Sequence, residues 1–319
     1  MKGRYYISLI LLAGLLAASC SRLPQGETDE GRVGLFAGVA PMETDTKVAV
    51  TGESYRGSTP TPTNPLEAAV WFSDTDDAFG TGGSEPTFLP CHSSALFTSD
   101  DITYPDDVVR YPTNGSSYAY CVGLYPKTDW SAGSGNATAT HPIDGVQDLM
   151  FANCVGGTWN NPISNPLRFR HLLTWLKICV CASGTDAITS WGDITKITIA
   201  NPSTSLAVTL GDGSVAYNGE TQNLTAFEGS VALMVTSQEL GSLLCAPATS
   251  YSVTAWSANM IAGKTVDVPM VNLDSTVPTV ANVTGKVYIL TLNFHSLTMI
   301  DATCTLAEWE DEYQFITGL

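Results

Sequence analysis

Apolar side chains recur at every second position in several separate segments, and this period restricts the fold more than any other feature of the sequence. Successive side chains of a β-strand point to opposite faces, so this period marks a strand with one buried face. The segments are 66–72, 118–124, 206–210, 251–255, 288–294 and 300–306. They predict an all-β protein.

Turn-forming residues separate these segments, with 28 Gly and 17 Pro in the chain. Gly211, Asp212 and Gly213 supply the positive φ of a tight turn, so 206–217 is predicted to be a hairpin. Convincing amphipathic helices are scarce, and 167–182 is interpreted as one strand with an irregular start. Short strands with loops between them favour β-sandwiches.

The length of 319 residues, 44% of them hydrophobic, allows roughly two domains with real cores. We expect an N-terminal β-sandwich domain at 33–183 and a C-terminal one at 184–319. The first strand is placed at about 33–40, and a polar loop with several TP and NP dipeptides follows at about 41–65.

The chain carries 14 basic and 31 acidic residues, for a net charge of −17. This balance argues against nucleic acid, because phosphates need Lys and Arg to neutralise them. It also disfavours peripheral binding to anionic lipid.

The N-terminus has the form of a lipoprotein signal. Lys2 and Arg4 precede a twelve-residue apolar segment at 7–18, and small residues lead to Cys20. In such signals the Cys is acylated and becomes the mature N-terminus, although Leu is more usual where Ala17 stands. We therefore expect a signal peptide at 1–19, lipidation at Cys20 and a polar tether at 20–32. No later apolar segment is long enough to predict a transmembrane helix.

The sequence contains none of the common catalytic motifs. It has no GxSxG, HExxH, Walker or GxGxxG motif, and its four His are far apart. His171 lies in an apolar strand, which favours a hydrogen-bonded structural role. Asp74, Asp76 and Asp77 resemble a calcium loop, but Ala78 replaces the required Gly. The sequence therefore predicts no catalytic, cofactor or metal site, and no enzyme.

Cysteine and tryptophan leave alternatives open. Cys179 and Cys181 share a strand face, where a metal pair is conceivable and small buried apolar side chains are favoured. The seven Trp form either a glycan-binding platform or, the favoured interpretation, packing in cores and domain junctions.

Several segments in order resemble the fimbrillin family, and the likeness spans nearly the whole mature chain. They are 109–126, 147–152, the F-x-H-x-L strand at 167–178, 194–199 with the following hairpin, 285–292 and Glu308-Trp309. The resemblance implies two transthyretin-like β-sandwich domains in tandem. It also implies an exported lipoprotein of Gram-negative gut or oral anaerobes that builds surface fimbriae.

In fimbrillin shaft subunits, a trypsin-like protease cuts after an Arg in the loop that follows the first strand. Removal of that strand opens a groove, which a strand from the neighbouring subunit fills. The residue here that fits this role is Arg56, whereas Arg32 precedes the first strand and Lys47 is not Arg. The alternative is that Arg56 is an ordinary loop residue of an uncut subunit.

The leading hypothesis is a structural subunit of a cell-surface fimbria, anchored in the outer membrane by its lipid and joined to other subunits by donor-strand exchange. The short segment after Trp309 leaves shaft, tip, anchor and accessory roles open. The alternatives are a surface glycan-binding lipoprotein and an uncleaved anchor or accessory subunit. The expected partners are other fimbrial subunits, the membrane and a host or glycan ligand.

Overall fold

The computed structural model describes residues 37–39, 66–73, 79, 88–97, 102–103, 111, 115–132, 137–165, 167–270, 284–296 and 299–306. Within these residues the chain forms nineteen strands and one helix. In chain order they are β1 (Ala37–Val39), β2 (Leu66–Ser73), β3 (Phe88–Phe97), β4 (Ile102–Thr103), β5 (Ala119–Tyr125), β6 (Ser131–Ala132), β7 (Thr138–Pro142), β8 (Met150–Gly157), β9 (Leu167–His171), β10 (Thr174–Ala182), α1 (Thr185–Trp191), β11 (Ile194–Asn201), β12 (Ser205–Thr209), β13 (Val215–Asn218), β14 (Gln222–Val231), β15 (Gln238–Cys245), β16 (Ser250–Ser257), β17 (Lys264–Pro269), β18 (Val287–Phe294) and β19 (Ile300–Leu306).

The described strands form four sheets, which confirms the predicted all-β class. Sheet I has the order β1-β9-β8-β5-β2-β3-β4, and sheet II the order β13-β12-β7-β6. Sheet III has the order β15-β10-β18-β19, and sheet IV the order β14-β11-β16-β17.

Sheets I and II enclose one apolar core, and we call this pair the first sandwich. Trp71 and Phe151 of sheet I pack in the same cluster as Leu206 and Val208 of sheet II. The opposite face of sheet I is also apolar, because a second buried cluster contains Val70, among others. Residues 68–73 of β2 are therefore all buried, although their alternation predicted one buried face.

Sheets III and IV enclose another core, and we call this pair the second sandwich. The predicted apolar faces at 251–255, 288–294 and 300–306 all contribute to it. Helix α1, which the sequence analysis missed, packs against this core through Trp191, whose Nε1 donates to the carbonyl of His295 at 2.8 Å. At seven residues this helix is too short to cross a membrane, and no other helix occurs in the described part of the chain.

The predicted single strand at 167–182 is wrong, because two strands occupy this segment. Strand β9 ends at His171 in sheet I, and β10 begins at Thr174 in sheet III. Leu172 and Leu173 between them are fully buried, and Leu172 N–H donates to the carbonyl of Leu149 at 2.8 Å. The chain thus changes sandwich at the point where the pattern suggested only an irregularity.

The predicted hairpin at 206–217 is confirmed as β12 and β13, with Gly213 at φ +71° in its turn. It pairs with β7 in sheet II, opposing Leu206 to His141 and Val208 to Ala139. The first sandwich therefore contains β1–β9 and the later hairpin, whereas the second contains β10, β11 and β14–β19. Because the hairpin returns to the first sandwich after β10 and β11, no single position in the chain separates the two sandwiches. The predicted domain limits 33–183 and 184–319 stay predictions.

Candidate assembly site

Strand β1 forms the outer edge of sheet I and pairs in parallel with β9. The register opposes Ala37 to Leu167, Gly38 to Arg168 and Val39 to Phe169. On its other side β9 pairs with β8 in the antiparallel sense, with Ala152 opposite Phe169. Among the described strands, β1 is therefore the neighbour that closes this edge of β9.

The side chains of β9 alternate between core and surface. Leu167 and Phe169 are fully buried, while Arg168 is exposed. The Phe169 ring reaches across β8 and lies over Gly123 of β5, where an added Cβ would overlap the ring. The surface of sheet I beside β1 is therefore buried and apolar across β9, β8 and β5.

Two residues of β9 beyond its pairing with β1 also hold this strand in place. The Arg170 guanidinium donates to the carbonyl of Gly213 in the β12–β13 turn and lies 5.9 Å from the centre of the Phe151 ring. At the end of the strand, His171 Nδ1 lies 2.7 Å from Asp148 Oδ2, and both side chains are buried. These contacts do not involve β1, so β9 has supports of its own.

His171 therefore has the hydrogen-bonded structural role that its apolar surroundings predicted. The buried imidazole and carboxylate pair through Nδ1 and Oδ2, whereas Asp148 Oδ1 has no hydrogen-bond partner among the described residues. His141 is also buried, with its Nδ1 2.6 Å from the Pro142 carbonyl and Trp130 packed edge-on against its ring. Its Nε2 has no hydrogen-bond partner among the described residues.

Nothing in the sequence indicated one cluster of polar and potentially reactive side chains, because Cys181 lies more than a hundred residues before its other members. Cys181 Sγ lies 3.7 Å from Asn293 Oδ1, Asn293 Nδ2 lies 3.3 Å from His295 Nε2, and that nitrogen lies 3.0 Å from Asp301 Oδ1. Burial and the nearby Asp301 carboxylate raise the pKa of the Cys181 thiol. A protonated thiol is a weak nucleophile, so the cluster is not poised for covalent catalysis.

Cys179 and Cys181 lie on the face of β10 turned away from the second core, where both are half-buried. Burial, followed by the Glu239 carboxylate, raises the pKa of the Cys179 thiol. Six of the described cysteines are free thiols: Cys121, Cys154, Cys179, Cys181, Cys245 and Cys304. No group of three or more His, Cys, Asp or Glu among the described residues could hold a metal ion.

The described tryptophans divide between packing and surface. Trp71, Trp175 and Trp191 are buried, as the favoured packing interpretation requires, whereas Trp159 is 38% exposed. The two residues to which the sequence assigned processing, Cys20 and Arg56, lie outside the described residues. The Asp74–Asp77 segment and the acidic residues around 308–312 lie outside them too.

No known family model matches the chain, and no curated protein does either. Solved structures do match it. A candidate cell adhesion protein from Bacteroides uniformis has a TM-score of 0.53 at 16% identity, over 89% of this chain and 100% of that one. One from Bacteroides ovatus has a TM-score of 0.50 at 12% identity, over 88% and 98%.

A candidate adhesin from Bacteroides thetaiotaomicron also has a TM-score of 0.50, at 8% identity over 89% of this chain and 98% of that one. Each alignment runs over nearly the full length of the neighbour, so the likeness concerns the whole arrangement of sheets. At these identities it concerns the fold. The chain has the fold of these Bacteroides candidate adhesion proteins, in agreement with its resemblance to the fimbrillin family.

Proposed function

We propose that this chain is a structural subunit of a cell-surface fimbria, joined to its neighbours by strand exchange at the β9 edge. The observation that carries the proposal is the position of β1. It is an edge strand, held to β9 by a short parallel pairing, beside a core that contains Leu167 and Phe169. Loss of β1 would leave β9 with unpaired backbone groups next to an apolar surface.

An incoming strand would restore what β1 supplies. Its backbone would pair with β9, and its alternate side chains would face the core beside Leu167 and Phe169. Because Arg170 and His171 anchor β9 through Gly213 and Asp148, the acceptor edge would keep its shape during the exchange.

Cleavage after Arg56 would start this exchange. Arg56 follows the end of β1 at Val39 and precedes the start of β2 at Leu66. A cut there would therefore remove the covalent link between β1 and every later strand. After the cut, non-covalent contacts alone would retain β1, and a longer donor strand would displace it.

The comparisons support a role in adhesion, since the three neighbours that share the fold are candidate adhesion proteins. They also support a non-enzymatic role. Export as a lipoprotein, with acylation of Cys20, would bring the chain to the outer membrane and the cell surface.

The decisive experiment exposes the lipidated chain on its native cell surface to an Arg-specific protease and compares wild type with Arg56→Ala. We expect a mature N-terminus at Gly57 by intact mass, together with SDS-resistant high-mass species, and we expect Arg56→Ala to abolish both. Arg32→Ala is the matched control, because this Arg precedes β1 and its loss should change neither result.

A chain that keeps acylated Cys20 at its N-terminus and stays monomeric with wild-type Arg56 would contradict strand exchange. That result would instead assign the uncleaved anchor or accessory role. A glycan-binding function is the second candidate, and the exposed aromatic side chains of the first sandwich favour it.

A further inference from the structure

Two tyrosines at the start of β5 stack on each other at the surface of the first sandwich. The ring centres of Tyr118 and Tyr120 are 5.3 Å apart, and the ring planes differ by 11°. The Tyr118 side chain is 41% exposed, whereas Tyr120 is half-buried against the core. The outer ring of the pair therefore faces solvent and the inner ring supports it.

Tyr120 is held by a glycine on the next strand. The register opposes Tyr120 to Gly156 of β8, and a Cβ added at Gly156 would overlap the Tyr120 ring. The ring thus lies flat over the backbone of β8, in space that any other residue would fill. This arrangement fixes the inner ring and, through stacking, the orientation of Tyr118.

The turn after β8 lies beside the segment that leads into Tyr118. Asn160 N–H donates to the carbonyl of Gly115 at 3.4 Å, and its Nδ2 lies 2.9 Å from the position that a Cβ on Gly115 would take. The exposed Asn160 and the neighbouring Trp159, which is 38% exposed, are thus tied through the backbone to Gly115, three residues before Tyr118.

Both segments, 115–120 and 156–161, lack charged residues, although the whole chain has a net charge of −17. Their polar groups are hydroxyls and amides, which suit neutral donors and acceptors. An ionic ligand would find no opposite charge within these segments. A ligand with an apolar face and several hydroxyl groups would stack on the tyrosine ring and form hydrogen bonds with these neutral polar groups.

We propose that Tyr118, with Trp159 and Asn160, forms a binding site for a neutral carbohydrate. The C–H face of a pyranose ring stacks on the exposed face of Tyr118, since an aromatic face is electron-rich and attracts polarised C–H groups. The Asn160 amide donates to and accepts from the sugar hydroxyls. The site is independent of strand exchange, and either proposal stands if the other fails.

The test applies the full mature chain to an array of neutral oligosaccharides containing glucose, galactose, mannose or N-acetylglucosamine. Titration calorimetry with the strongest responder then compares wild type, Tyr118→Ala and Tyr118→Phe. We expect Tyr118→Ala to weaken binding at least about tenfold, because the stacking surface is lost, and Tyr118→Phe to keep it within about threefold.

Ile261→Ala is the matched control, because it removes an exposed apolar side chain from the second sandwich and should leave binding unchanged. Unchanged thermal unfolding of Tyr118→Ala would show that the variant is folded. Binding to no neutral glycan on the array, or equal binding by Tyr118→Ala and wild type, would overturn the proposal.

Discussion

Two glycines in sheet I act by leaving room for aromatic rings from a neighbouring strand. Phe169 lies over Gly123, and Tyr120 lies over Gly156. A glycine within a strand pattern commonly marks a bulge or a close approach of another group. Which aromatic side chain makes that approach depends on the strand order, so the sequence could not assign these pairs.

We expect Gly123→Ala to lower the free energy of unfolding by about 1–3 kcal/mol, since the new Cβ would displace the buried Phe169 ring. Urea denaturation followed by tryptophan fluorescence measures this change. Gly229→Ala is the control, because its Cβ would meet only the far end of the Phe227 ring, at 3.3 Å. A loss for Gly123→Ala no larger than for the control would contradict the proposed packing of Phe169.

At the scale of elements, strands with one core-facing side were predictable and changes of sheet were not. The alternation at 251–255 and 288–294 identifies β16 and β18, whose inward side chains are buried. In β10, by contrast, residues 174–178 are all buried, so no alternation distinguishes this strand from β9 before it. The short helix α1 begins after Gly184 with no side-chain cap hydrogen bond, so Asp186 in its first turn was the only local start signal.

The sequence predicted the position of strand β1 but not the strand with which it pairs. The first strand was placed from the sequence at about 33–40, and β1 lies within that range. The parallel pairing of β1 with β9 joins residues far apart in the chain, so no local pattern could predict it. The processing roles of Cys20 and Arg56 stay predictions.

The β12–β13 hairpin depends on contacts outside its own ladder, and one of them can be removed without changing a packed ring. Tyr217 Oη donates to the carbonyl of Leu172 at 2.6 Å. We expect Tyr217→Phe to lower the free energy of unfolding by about 1 kcal/mol, because one hydrogen bond is lost and a carbonyl is left unsatisfied. Urea denaturation measures the loss, with the exposed Ala216→Ser on the same strand as the control. Equal stability of the two variants would show that the bond contributes nothing.

At the scale of the whole molecule, several buried thiols make stability depend on alkaline pH. Burial raises the pKa of Cys121 and Cys245, and it raises the pKa of Cys154 to about 12. In the unfolded chain these thiols would lose their protons near pH 8.5. Above that pH the unfolded state binds fewer protons than the folded state, so the free energy of unfolding falls as pH rises towards 12.

We therefore expect the protein to be less stable at about pH 9.5 than at about pH 7.5, with each thiol contributing at most about 1.4 kcal/mol per pH unit. Urea denaturation at the two pH values measures the difference. Cys154→Ser keeps the size of the side chain but does not titrate in this range, so its stability should fall less. An equal fall in wild type and Cys154→Ser would rule out a contribution from this thiol.

The chain passes between the two sandwiches at three places in its described part, from β9 to β10, from β11 to β12 and from β13 to β14. One connection, from β9 to β10, joins the two sandwiches directly, and the other two hold the β12–β13 hairpin, which pairs with β7 in the first sandwich. If the β9–β10 link were cut, the pairing of β12 with β7 would still hold the first sandwich to the rest of the chain. The two sandwiches are thus coupled mechanically through the hairpin as well as through the β9–β10 link.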